Sequence, residues 1–143
     1  MSALVVDAGP LYAMLDDTDA WHAASLRLLR THPGPLIVPT LVIAEVANFA
    51  GRRLGPRAEL LLAQDLAEGV FSVEPVHPGD WLRIAELTAQ YAGFPLGLVD
   101  ASVIACAERL GVTEVATVDR RHFGAVRPAH VEAFTLLPLS PRT

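Results

Sequence analysis

The chain contains no lysine; all eleven of its basic residues are arginines. That absence excludes chemistry that depends on a lysine: a Walker P-loop, a Schiff base, or the lysine that many phosphoryl-transfer sites set against the phosphate. The arginine bias, with abundant Ala, Leu, Val and Pro, fits a GC-rich genome and carries no function of its own. Cysteine occurs once, as Cys106. It cannot close an internal disulfide and, within an apolar stretch, reads as a small buried hydrophobe; a reducing, cytoplasmic setting is expected. No apolar run approaches the roughly 18 residues of a membrane span. The first residues lack the basic segment, apolar core and cleavage site of a signal peptide, so neither membrane insertion nor export is expected. Internal repeats, low-complexity tracts and linkers are also missing.

What remains is a 143-residue chain, 52% hydrophobic and 19% charged. That composition suits a single compact domain over residues 1–143 with a full core, ending in a loose Pro-rich tail over 136–143. The net charge of −5 taken as a total argues against a nucleic-acid partner, but totals hide distribution.

Short apolar runs alternate with helical patterns. Leu4-Val5-Val6 runs straight into Asp7 and reads as a strand buried on both faces. Leu36-Ile37-Val38, Phe71-Ser72-Val73 and Glu114 to Val118 read as further strands, with a last one around Ala133 to Leu137. Helices are predicted over Leu11 to Leu15, Ala20 to Arg30 (capped by Thr18 or Asp19), Leu41 to Arg53 (capped by Thr40), Ala58 to Glu68, from Pro78 through Tyr91, and from Leu98 to the C-terminal glycine Gly111. This alternation predicts an α/β fold with a central, mostly parallel sheet of four or five strands.

Four acids stand out against these elements. Asp7 and Asp119 each end an apolar strand, where open α/β sheets place ligands; Asp7 is equally placed to cap the helix after it. Glu45 is the one acid in Val42-Ile43-Ala44-Glu45-Val46, and a buried unpaired carboxylate costs several kcal/mol unless neutralised, paired or bound to metal. It also fits a polar stripe with Asn48 and Arg52. Asp100 lies in the first turn of an apolar helix, where the helix dipole favours negative charge. In a doubly wound sheet all four can converge on one edge. Clustered carboxylates need a cation, and an oxygen-only donor set selects Mg²⁺ or Mn²⁺ over zinc. Such an ion typically serves phosphate chemistry.

The segments Val5-Val6-Asp7-Ala8-Gly9-Pro10-Leu11, Pro39 to Val46, Leu98 to Ala105 and Ala116 to Phe123 together resemble the PIN-domain ribonucleases, specifically the VapC-type toxins of toxin–antitoxin pairs. The resemblance implies a three-layer α/β/α PIN-like fold and a metal-dependent endoribonuclease. Asp7, Glu45, Asp100 and Asp119 would then hold Mg²⁺ or Mn²⁺, and a metal-activated water would hydrolyse RNA to leave a 5′-phosphate. It also implies a homodimer and a VapB-like antitoxin whose C-terminal segment wraps the toxin, with Leu11, Tyr12, Trp21 and Leu62 either lining that groove or lying in the core. Many relatives carry Ser, Thr or Asn within two residues of the first aspartate. Here those positions are Ala8 and Gly9, and Thr117 is the candidate to supply the missing hydrogen bond.

Arg52, Arg53, Arg57, Arg120 and Arg121 are candidates for a basic rim that contacts the RNA backbone. The other readings are a catalytically silent PIN-like module that binds RNA or a protein, and a small-molecule phosphatase or phosphoacceptor. The last two usually place a lysine near the phosphoryl group, which this chain lacks.

Overall fold

The computed structural model describes residues 1–142. Strand β1 (Leu4–Val6) is fully buried because it is the middle strand of a five-stranded sheet. With β2 (Leu36–Pro39), β3 (Ser72–Glu74), β4 (Glu114–Ala116) and β5 (Thr135–Leu137), the order is β3-β2-β1-β4-β5, and every neighbouring pair is parallel. A central strand covered on both faces needs apolar side chains on both, hence the uninterrupted Leu-Val-Val.

The chain steps outward from β1 to β3, then returns to the other side of β1 for β4 and β5. Right-handed crossovers put α1 (Ala8–Leu15), α2 (His22–Thr31), α3 (Thr40–Arg53) and α4 (Pro56–Ala67) on one face. The same rule puts α5 (Pro78–Gln90), α6 (Leu98–Leu110) and α7 (Arg120–Ala125) on the other. The packing agrees: α1 rests on α2 and α3, α3 on α4, and α5 on α6. This is the expected three-layer α/β/α fold, with a wholly parallel sheet.

The core joins Leu4, Val5, Val6, Val38 and Val115 of the sheet to Leu11, Val42 and Val46 on one side and Leu87, Val103 and Ile104 on the other. Each such side chain contributes about 1.5–3 kcal/mol by leaving water. Helix α6 is buried continuously from Ala101 to Ala107 and ends at Gly111, whose φ of 67° is open to glycine at little steric cost. Burial pushes the Cys106 thiol up to about 12, so it stays protonated and inert.

The structure departs from expectation in several places. Leu136 and Leu137 belong to β5, paired with Val115 and Ala116, so they are not part of a loose tail. Strand β4 stops at Ala116, and Asp119 caps α7, a short helix that the apolar pattern did not announce. Asp19 accepts the Trp21 N–H in a turn, so α2 starts later, at His22. Thr40 is helical, and its hydroxyl donates to the Glu74 carbonyl at 3.2 Å instead of capping α3. Leu11, Tyr12 and Leu62 are core; Trp21 is half-buried.

Candidate active site

The strand order reverses between β1 and β4, and in open α/β sheets the crevice at such a switch point, beyond the strands' carboxyl ends, is where ligands bind. Asp7 follows β1 there, its N–H held by the Ala116 carbonyl at 2.9 Å and its side chain only 5% exposed. The carboxylate does not cap α1. Its Oδ2 accepts the Thr117 hydroxyl at 2.9 Å, and that same oxygen of Thr117 accepts the Asp119 N–H at 3.0 Å. Thr117 is fully buried, and its one hydroxyl couples Asp7 at the end of β1 to Asp119 at the start of α7. The small Gly9 beside Asp7 has a steric reason. A Cβ at Gly9 would stand 2.4 Å from Val118 Cγ2, because the first turn of α1 presses against the connection after β4.

Asp119 accepts the His122 N–H on Oδ1 at 3.0 Å and meets His122 Nδ1 with Oδ2 at 2.8 Å. A carboxylate can only accept, so Nδ1 carries the proton in this contact. Asp100 is half-buried at the third position of α6, reaching back to the Gly97 N–H at 3.3 Å. Glu45 is half-buried on α3, between the buried Val42 and Val46 and the exposed Asn48 and Arg52. Helices α3 and α6 touch one another, which brings Glu45 towards Asp100.

The electrostatics link all four acids. Burial pushes the Asp7 carboxyl up to about 7; the Ala8 N–H and Thr117 hydroxyl oppose this, while Asp100 and Glu45 add to it by repulsion. Glu45 is raised by burial and by Asp100. Asp100 is raised by burial and by Asp119, against the Gly97 N–H and His122. Among the described residues the arginine ion pairs go elsewhere: Arg83 to Glu86 and Glu108, Arg109 to Glu74 and Asp80. An oxygen-only cluster with repelling charges and no arginine partner has the chemistry of a hard divalent-cation site. As they stand, however, no three His, Cys, Asp or Glu side chains among the described residues converge tightly enough to grip an ion.

The arginines divide. Arg120 turns inward, Nη2 donating to the carbonyls of Leu136, at 3.4 Å, and Pro138, so it anchors β5. Arg121 is exposed, its guanidinium 5.3 Å from the centre of the Phe94 ring. Arg52 and Arg53 end α3, about 10 Å along the helix axis from Glu45, and Arg53 lies over the rings of Phe49 and Tyr12. Arg57 is exposed in α4. Only Arg121 is thus left as an exposed arginine beside the acids. The residues that sequence reasoning overlooked are His122 and Phe94. His122 carried one usable signal, its place three residues after a helix-capping aspartate; Phe94 in its loop carried none.

The PIN domain family model matches residues 4–127. Ribonuclease VapC26 of Mycobacterium tuberculosis is 29% identical over 135 residues, covering 94% of this chain and all of that protein. The crystal structure of Mycobacterium tuberculosis VapC20, a Sarcin-Ricin loop cleaving toxin, superposes with a TM-score of 0.80 at 24% identity, covering 90% of this chain and 98% of that one. The DNA-bound VapBC of Salmonella typhimurium gives a TM-score of 0.70 at 16% identity, covering 95% and 98%. With a family match across most of its length and the acids standing at the sheet's switch point, the chain belongs to the PIN-domain family.

Proposed function

We propose that this protein is a Mg²⁺- or Mn²⁺-dependent endoribonuclease, a VapC-type toxin held inactive by a cognate VapB-like antitoxin. The observation that carries the reading is the electrostatic linkage of Asp7, Glu45, Asp100 and Asp119 at the sheet's switch point, with no arginine ion pair to any of them among the described residues. Likeness to a curated ribonuclease across its full length supports it. The four carboxylates would hold the ion, which when bound polarises the phosphodiester and lowers the pKa of a water. Thr117 orients Asp7 and Asp119 together, His122 fixes the Asp119 carboxylate, and Arg121, exposed two residues after Asp119, would meet the RNA backbone.

The antitoxin is expected to lay an apolar segment into the cleft of about 350 Å³ lined by Met14, Leu15, Leu26, Leu61 and Val70. The exposed Trp81 and Leu82 of α5 offer apolar surface for a homodimer. No helix among the described residues is long and apolar enough to cross a membrane.

The test is sequencing of cleaved RNA ends after induction of the free chain. Mapped 5′-phosphate ends that vanish with Asp7→Asn are expected; identical end profiles for the two chains would refute the reading. The loose spacing of the acids favours one alternative, a PIN module that binds RNA without cutting it. Calorimetry that finds no Mg²⁺ or Mn²⁺ binding sensitive to Asp7→Asn would select that alternative.

A further inference from the structure

The loop between α5 and α6 sets an aromatic ring beside the acids. Phe94 is half-buried, its centroid 4.8 Å from the His122 ring at an inclination of 48°, and Arg121 lies over the same ring. His122 is fixed to Asp119 through both its backbone N–H and its imidazole. Phe94 therefore touches both the exposed Arg121 and the His122 ring that is tied to Asp119. Leu98, half exposed at the start of α6, extends the apolar surface of the same loop.

We infer that Phe94 and Arg121 form a platform on which one base of a single-stranded RNA stacks while the adjoining phosphodiester lies over the acids. The inference rests on the ribonuclease reading and deepens it by assigning a base-binding subsite. The physical need is evident from the charges. Four acids and a net charge of −5 repel an RNA backbone, and Arg121 alone offsets little of that. A base presents a neutral π-face, which aromatic rings and guanidinium planes take up with little regard to base identity. The exposed Arg121 side chain moves from the Phe94 ring to the outer face of the base, which then lies between them, and the edge N–H groups of its guanidinium stay free to meet the adjoining phosphate. Because His122 backs the ring and is tied to Asp119, the stacked base has a fixed position relative to the acids.

The experiment measures binding of short oligo-A, oligo-C and oligo-U, and of an abasic ribose-phosphate oligomer of equal length. It uses the full chain carrying Asp7→Asn so that nothing is cut. Phe94→Leu keeps apolar bulk against His122 but removes the ring. It is expected to weaken binding to all three base-bearing oligomers about tenfold, to leave the abasic oligomer unaffected, and to be rescued by Phe94→Trp. In the cleaving chain the same change should raise KM and leave kcat near its original value. Equal loss on abasic and base-bearing RNA, or a fall in kcat at constant KM, would assign Phe94 to mere support of His122 and overturn the platform. Cleavage that Asp7→Asn abolishes, with Phe94→Leu binding like the parent, would remove the platform and spare the ribonuclease reading. Absence of both cleavage and RNA binding would remove both.

Discussion

Asp7 governs how the free protein responds to pH. Its carboxyl titrates near 7 when folded, against 3.8 for an unperturbed aspartate. Between those values the folded chain keeps a proton that the unfolded chain has lost, so folding is favoured at the acid end of the window and weakens as pH rises. Across the window the loss is about 4 kcal/mol, and the raised Glu45 and Asp100 act in the same direction. We expect the urea midpoint of the metal-free protein to fall from about pH 5 to about pH 8. Asp7→Asn keeps a group that can accept from Thr117 and cannot ionise; it should flatten this slope and raise the midpoint at the alkaline end. A slope identical in the two proteins would refute the account. Added Mg²⁺ should restore stability to the parent at the alkaline end and not to the variant.

At the scale of elements, α6 carries chemistry at one end and architecture at the other. Glu108 accepts Arg83 Nε at 2.7 Å, Arg83 Nη2 at 2.9 Å and the Ala129 N–H at 2.6 Å, so it clasps α6 to α5 and to the segment after α7. Glu108→Ala leaves Arg83 only its exposed pair with Glu86 and leaves the Ala129 N–H to water, and should cost about 1–2 kcal/mol in urea unfolding. It stands about 12 Å along the axis from Asp100, so RNA cleavage measured well below the melting transition should be unchanged. Reduced cleavage by the fully folded variant would mean that the clasp also sets the position of Asp100. The placement of α6 was legible beforehand, since an apolar run between an early aspartate and a terminal glycine carries its own start and stop signals. Helix α7 was not: six residues with a single buried side chain, Phe123, leave no periodicity to read.

At the scale of the whole molecule, the distribution of arginines decides how RNA binding depends on salt. With Arg120 engaged on β5 and Arg52, Arg53 and Arg57 away from the acids, about one phosphate contact is expected. The log–log slope for single-stranded RNA should then be shallow, near −0.7. Arg121→Ala should bring it towards zero, while joint replacement of Arg52, Arg53 and Arg57 by alanine should leave it alone. A slope of several, reduced by the triple change, would instead place the RNA along α3 and α4.

By itself the sequence determined the kind of each main element, and it singled out four acids as candidates. Both are local properties: an apolar run, a capping residue, a carboxylate where its neighbours offer no countercharge. It also offered Thr117 as the residue to replace the hydroxyl that Ala8 and Gly9 do not supply beside Asp7. Only the tertiary structure decided which groups meet. The crossover that sets β4 beside β1 joins Asp7 to Thr117 across 110 residues of chain. Val118 comes close enough to Gly9 that any added Cβ would force it to shift, β5 draws Arg120 inward, and the α5–α6 loop lays Phe94 on His122. Those contacts depend on strand order and on distances between remote segments, and no window of neighbouring residues encodes either.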